Sequence, residues 1–323
     1  MEPYRKNIYI ATKVGIKGGI IPNLSESYIR RACKESLRKL KTDYIDLYQI
    51  HFDDPKTPVE DTISALENLK KEGKIRQYGI GHLPVDKVKR YFKLGNTFSV
   101  LMELSAVARE SREKLLPLCK EYNVGAIAFS TTGRGILTGR FQKGKEFEAQ
   151  DLRNIDPLFQ YERYESALRV TDEFVKIGKT YGKTPAQVAI NWVLSQENVI
   201  CALTGPSTVA HLKENIGASG WNIAEDDLKN LESFFTKEDA LLKDAQKETL
   251  KRILNSPLPK KPFKAFEDLV YAIETSILLG LTTEDAIMPV YQALFAIYRN
   301  LNETAKKTLD AVQFDLIRMI KLD

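Results

Sequence analysis

The sequence predicts an α/β fold on a parallel sheet, and three observations point to it. Short apolar runs alternate with amphipathic stretches at intervals of roughly 25–35 residues through the first two thirds of the chain, the rhythm of repeated βα units. The runs are continuous rather than alternating, as strands covered on both faces must be. A polar or reactive residue recurs where the runs end, at Lys13, His51, Ser130 and Gly205. In a (β/α) barrel that end of the strands carries the active site.

The elements follow in order. Residues 7–13 (NIYIATK) read as the first buried strand, followed by a Gly-rich loop. Ser25 then caps a helix to about Leu40, in which Ile29, Cys33 and Leu37 recur every four residues. Residues 44–51 form the second strand, and a helix over 58–72 ends at Gly73. The strand at 75–80 precedes a helix at 85–94 that stops at Gly95. A strand at 99–104, a helix at 112–122 and a strand at 125–130 come next. A long polar connection leads to about Gln160 and a helix over 162–181. Pro185 opens a helix over 186–195, and 199–204 is the sixth and last strand. Helices near 208–217 and 225–235 close the series.

From about Asp239 the pattern becomes all-helical. Helices are expected over 240–255, 263–279, 286–298 and 304–320, with a linker at 256–262. The expected organisation is therefore a βα domain over 1–238 and an α-helical extension over 239–323. The extension's apolar faces (Leu269, Ile273, Ile277; Tyr291, Leu294, Phe295, Tyr298) call for burial against the barrel or a partner.

Composition narrows the function. The 323 residues carry a net charge of +5, which admits an anionic small ligand and lacks the basic patch of a nucleic-acid binder. No apolar run reaches the ~18 residues of a membrane span, and the polar start reads as no signal peptide. Cys33, Cys119 and Cys201 lie in separate stretches without a C-x-x-C, which fits a reducing, cytoplasmic compartment. With His51, His82 and His211 the only histidines, no H-E-x-x-H site exists and no metal is expected.

Seven stretches then carry a resemblance: YIATKVG, LRKLKTDYIDLYQIH, ALENLKKEGKIRQYGIG, LLPLCKEYNVGAIAFS, GRGILTGRF, TPAQVAINWVLSQ and TGPSTVAHLKENIGA. In order and spacing they resemble the aldo-keto reductases, most of all the branch with potassium-channel β subunits and bacterial general-stress reductases. The resemblance covers roughly residues 5–236. It implies a TIM barrel that passes hydride from NADPH to an aldehyde or ketone without metal. With about six βα units present, the fold expected is an incomplete (β/α)8 TIM barrel followed by the helical extension.

The resemblance implies a catalytic lysine at Lys13 and a histidine at His51, each ending its strand. In the family a Tyr protonates the carbonyl oxygen and an Asp pairs the Lys. A phenol near pKa 10 is a poor acid at neutral pH until a cation stabilises its anion. The D-T-A-x-x-Y stretch supplying those two residues lies upstream of the lysine strand, and only twelve residues precede Lys13 here. About 60 residues of barrel, on the ~250-residue scale of the fold, are expected to be missing at the N-terminus.

The resemblance also implies a cofactor site. Gly133 and Gly135 belong to the pyrophosphate loop, where the Ser130 hydroxyl donates to phosphate and Phe129 stacks on nicotinamide. Arg140 stands where a cation meets the 2′-phosphate of NADP(H). Gly205, Ser207 and Thr208 lead into a helix N-terminus suited to an anion. Glu214 and Asn215 match the pair holding adenine, and His211 takes the place of an Arg or Gln, which keeps NAD(H) open. The family's Ser-Asn pair corresponds to Gly81-His82 and its sixth-strand Gln to Met102, positions that normally grip the carboxamide. His82 is able to replace one such contact and Met102 is not.

Two readings stand. One is an NADP(H)-dependent carbonyl reductase impaired by the absent Asp and Tyr. The other is a non-catalytic nucleotide-binding or protein-interaction protein on a degenerate barrel. Six strands cannot close an eight-strand barrel, so bare edges are expected, covered by the helical tail or by a second copy in a homo-oligomer.

Overall fold

The computed structural model describes residues 2–17, 21–145, 147–148, 151–298, 301–302 and 305–320. The Gly-rich loop at 18–20, part of the long polar connection and the Thr304 start of the last helix lie outside them. The strands are β1 (Ala11–Val14), β2 (Ile16–Lys17), β3 (Ile21–Pro22), β4 (Ile45–Ile50), β5 (Ile75–Gly81), β6 (Ser99–Glu103), β7 (Gly125–Phe129) and β8 (Val199–Ala202). The helices run α1 (Glu26–Leu40), α2 (Val59–Lys71), α3 (Val85–Leu94), α4 (Glu110–Lys114), α5 (Leu116–Tyr122), α6 (Tyr161–Tyr181), α7 (Pro185–Leu194) and α8 (Val209–Ile216). After them come α9 (Glu225–Asn255), α10 (Pro262–Leu278), α11 (Glu284–Ala296) and α12 (Lys306–Met319).

The chain divides into two compact units, Met1–Arg134 with Ala186–Ile223, and Gly135–Pro185 with Ala224–Asp323. The sequence's change of pattern near Asp239 falls inside α9, which continues because 225–255 contain neither Gly nor Pro. Both the expected helix at 225–235 and that at 240–255 belong to this one 31-residue element.

The first unit holds a six-stranded parallel sheet in the order β1-β4-β5-β6-β7-β8. Among the described residues β1 and β8 have no further partner, so the barrel is not closed. The central strands are buried, with Ile45, Tyr48, Ile50, Tyr78 and Ile80 at 0% exposure. The edges are not: β1 is largely exposed and Ile200 of β8 is half exposed.

Strand β1 is shorter than its apolar run. Residues Glu2–Asn7 instead wind into a 3-10 turn from which Arg5 reaches back to the sheet. Its guanidinium bonds Thr42 Oγ1 and the Tyr44 carbonyl at 2.8 Å, and pairs with Asp46 at 2.8 Å. Asp46 in turn accepts from the Ile10 N–H at 2.9 Å, fixing the approach to β1. The helix expected over 112–122 is two, α4 and α5. Pro117 cannot donate to residue 113 and its ring crowds that carbonyl, which breaks the helix at Leu115.

The second unit is helical. Its core gathers Leu250, Phe266, Leu269, Tyr271, Ile273, Leu294, Leu309 and Leu316, all nearly inaccessible. Polar pairs lock α6 to the other helices. Glu162 accepts from Thr249 at 2.8 Å and from the Tyr271 hydroxyl, and Tyr161 donates to Asp268. Arg169 reaches buried Glu238 through Nε at 3.0 Å, and Tyr181 donates to Asp227 at 2.6 Å.

Candidate functional site

The sheet register builds the site in the first unit. Lys13 of β1 is the partner of Gln49 in β4, so the two share a face. The row continues through Gly79 and Ser99 to Gly125. A Cβ at Gly79 would meet Ser99 Oγ at 2.6 Å, so only glycine leaves room at the centre of the row. Gln49 Nε2 and Ser99 Oγ are buried there and make no hydrogen bond.

His51 follows Gln49 by two residues, and its N–H donates to the Val14 carbonyl at 2.8 Å. That bond ties the His51 backbone to the residue after Lys13. Immediately beyond, Gly15 has φ +117 and leaves 3.4 Å between a built Cβ and the Phe52 carbonyl, a position that favours glycine. Asp54 braces this end by accepting from the Leu24 N–H at 2.9 Å, the Lys56 N–H at 3.0 Å and Thr57 Oγ1 at 2.6 Å.

An aromatic cluster crowns the same end. His51 packs 4.5 Å from Phe52 and 5.6 Å from His82, ring centre to ring centre. His82 stacks on Phe52 at 4.7 Å and lies 5.3 Å from Phe129. His82 Nδ1 sits 3.0 Å from the His51 carbonyl oxygen. Desolvation and the nearby Lys13 ammonium hold the His51 imidazole below its ordinary pKa, with His82 adding a smaller push. Desolvation and Lys13 also lower His82, against the bond to the His51 carbonyl. Lys13 thus acts on both imidazoles although it makes no ion pair among the described residues.

The strand alternation corrects one expectation. Leu101 is the partner of Gly81 and shares its face, whereas Met102 pairs with Ala128 on the other face and is 2% exposed. The side chain facing the His51 side of the sheet is therefore Leu101, which offers no hydrogen bond either. The sequence reading missed Phe52, whose signal was its place directly after His51.

Phe129 ends β7 and Ser130 begins a turn at φ +56, with Gly133 donating to the Ser130 carbonyl at 2.7 Å. The Gly133 N–H is thereby engaged in shaping the turn. Thr131 Oγ1 donates to the Leu203 carbonyl at 3.0 Å, joining this turn to the chain after β8. Arg134 pairs with Glu103 at 2.8 Å. Gly205, Ser207 and Thr208 lead into α8, where Thr208 Oγ1 caps the helix by accepting from the His211 N–H at 3.1 Å. Ser207 Oγ lies 3.0 Å from His211 Nδ1, and the Glu214 carbonyl accepts from Gln187 at 2.8 Å. Asn215 is half buried on the last turn. The first-turn N–H groups that Thr208 leaves over are the kind that hold a phosphate, so these residues fit a dinucleotide's anionic centre. Gly135 and Arg140 belong to the second unit, with Gly135 at φ +98 and Arg140 exposed.

Among the described residues no group of three His, Cys, Asp or Glu side chains could hold a metal, and no helix is long and apolar enough to cross a membrane. A groove of about 660 Å³ opens at the opposite end of the sheet, lined by residues such as Gln77, Asn96, Tyr122 and Asn198. It holds none of the predicted site residues.

Residues 1–235 match the Aldo/keto reductase family. The chain is 30% identical over 231 residues to aldo-keto reductase YhdN of Bacillus subtilis, covering 70% of each. It is 31% identical over 233 residues to probable aldo-keto reductase 1 of Glycine max, covering 70% of this chain and 66% of that protein. Among solved structures, a glycerol dehydrogenase from Gluconobacter oxydans is similar with a TM-score of 0.67 at 28% identity, over 71% of this chain and 72% of that one. The holo form of an aldo-keto reductase from Bacillus halodurans gives 0.59 at 28% identity and the same coverage. Sequence, register and these likenesses agree: the chain belongs to the aldo/keto reductase family.

Proposed function

We propose that the protein is an NADP(H)-dependent oxidoreductase acting on a small carbonyl compound or its alcohol. One observation carries the reading: Lys13 and His51 end neighbouring strands on a shared face, at the sheet end where Phe129 and Ser130 lie. Lys13 and His51 polarise the substrate oxygen, and a low imidazole pKa keeps His51 neutral as a hydrogen-bond donor beside the Lys13 charge. Phe129 offers a face to the nicotinamide, while Ser130, Ser207, Thr208 and the start of α8 hold pyrophosphate and phosphate. Gly133 and Gly205 shape these turns, and His211, Glu214 and Asn215 meet the adenosine. When bound, the nicotinamide dinucleotide exchanges a hydride with the substrate carbon. From the resemblance alone, Gly135 and Arg140 complete the pyrophosphate loop, with Arg140 setting the preference for NADP(H) over NAD(H). Unpaired thiols at all three cysteines fit a reducing cytoplasmic compartment.

A second reading is favoured by the absence, among the described residues, of any ion pair on Lys13 and of any tyrosine in the ring cluster around His51 and His82. A non-catalytic dinucleotide binder needs neither. Its exposed β1 and β8 edges then serve assembly with a second copy. The full chain with NADPH and an aldehyde panel tests the two. Steady NADPH oxidation that Lys13→Met abolishes supports the first, and dinucleotide binding with no turnover across the panel supports the second.

A further inference from the structure

The ring of His82 is held unusually firmly for an exposed loop residue. Its backbone takes φ +50, a left-handed conformation that histidine tolerates better than most side chains. Its ring is stacked on Phe52 at 4.7 Å and flanked by Phe129 and His51. The bond that matters most is the one at 3.0 Å to the His51 carbonyl. A carbonyl oxygen only accepts, so Nδ1 carries the hydrogen, and in the neutral ring Nε2 is left with a free lone pair. Nε2 makes no hydrogen bond among the described residues.

We propose that His82 is a catalytic residue of this site, its Nε2 accepting the hydroxyl proton of an alcohol substrate. The proposal rests on the oxidoreductase reading and deepens it toward the oxidative direction. Lys13 acts on the His82 ring by its charge and His51 through its backbone carbonyl, while Lys87 is engaged with Asp53 at 2.7 Å. Desolvation and then the Lys13 charge oppose a positive charge on His82, so the ring stands neutral and ready to accept at neutral pH. In the step, the O–H bond breaks and an N–H bond forms on Nε2, while Nδ1 keeps its bond to the His51 carbonyl. The electron pair of the carbinol C–H leaves as hydride to an oxidised nicotinamide dinucleotide, and the C=O bond forms. His82 thereby supplies the proton transfer for which this site has no tyrosine among its described rings.

Two measurements on the full chain test this. The first is long-range proton–nitrogen NMR of the imidazoles, assigned through His51→Gln, His82→Gln and His211→Gln. Above its titration midpoint, His82 is expected as the Nδ1–H tautomer with a bare Nε2, and an Nε2–H tautomer overturns the proposal. The second uses NADP+ with a panel of primary and secondary alcohols. His82→Gln is expected to lower kcat about 100-fold or more and to remove the acid limb of the pH profile. Unchanged kcat in His82→Gln, or no alcohol turnover despite NADP+ binding, overturns the role of His82. Failure of the wild-type chain to bind NADP+ overturns the oxidoreductase reading itself, and the proposal with it.

Discussion

The carbonyl oxygen of His51 lies 3.0 Å from Nδ1 of His82, so the backbone of one histidine sets the tautomer of the other. Both imidazoles are held below their ordinary pKa of 6.5, chiefly by desolvation and then by Lys13, with a bond from the His51 carbonyl opposing it at His82. Removing the ammonium in Lys13→Met should raise both midpoints, which proton NMR titration of the ring C–H signals reads directly. Unmoved midpoints would show that Lys13 does not share the site.

The same depression has a consequence for stability. Well above pH 6.5 both rings are neutral folded or unfolded, and the two histidines add no pH dependence. As the pH falls toward and through 6.5 the unfolded chain takes up protons first, so stability declines until the lowered folded midpoints are passed. Lys13→Met should narrow that window. Urea unfolding of the first unit between pH 7 and pH 5 measures it, and an equally steep decline in the variant would contradict the linkage.

Gly79 sits between Gln49 and Ser99 in one row of the sheet. Its missing Cβ is required, because a methyl there would lie 2.6 Å from Ser99 Oγ and 2.8 Å from the Ser99 carbonyl. Gly79→Ala should cost about 2 kcal/mol through overpacking. Ser99→Ala removes a buried hydroxyl without a partner and should be neutral or stabilising by about 1 kcal/mol. Denaturant midpoints of the two variants should move in opposite directions or only the first should move.

In the second unit, Tyr271 is fully buried and donates to Glu162, which Thr249 also bonds. Tyr271→Phe leaves that carboxylate one donor short and should cost about 2 kcal/mol, as expected for a hydrogen bond to a charged group. Thermal unfolding followed on α6 by hydrogen exchange distinguishes this from a neutral change.

Much of this architecture was legible in the sequence because burial on both faces leaves continuous apolar runs, and β4, β5, β6 and β7 fall where those runs lie. The ends of the sheet were less legible. Residues 7–10 read as strand by composition, but the strand begins only at Ala11, after a 3-10 turn over Glu2–Asn7 whose Arg5 binds Tyr44 and Asp46, a long-range contact no local pattern encodes. Pro117 was visible, yet its effect as a break between α4 and α5 depends on where the helix begins. Lys13 and His51 could be read from their motifs, whereas the face of Met102 could not, since a one-residue offset in β6 inverts every side chain. The grouping of 135–185 with the helical tail depends on pairs such as Arg169 with Glu238, far apart in sequence.

The central claim is that the loops after β7 and β8 hold a nicotinamide dinucleotide. Titration of the full chain with NADPH, followed by fluorescence and thermal shift, tests it most directly. Saturable binding is predicted, weakened in Thr208→Ala, which removes the cap of α8 and about 1 kcal/mol of its stability. No fluorescence change and no thermal shift at millimolar NADPH would contradict it.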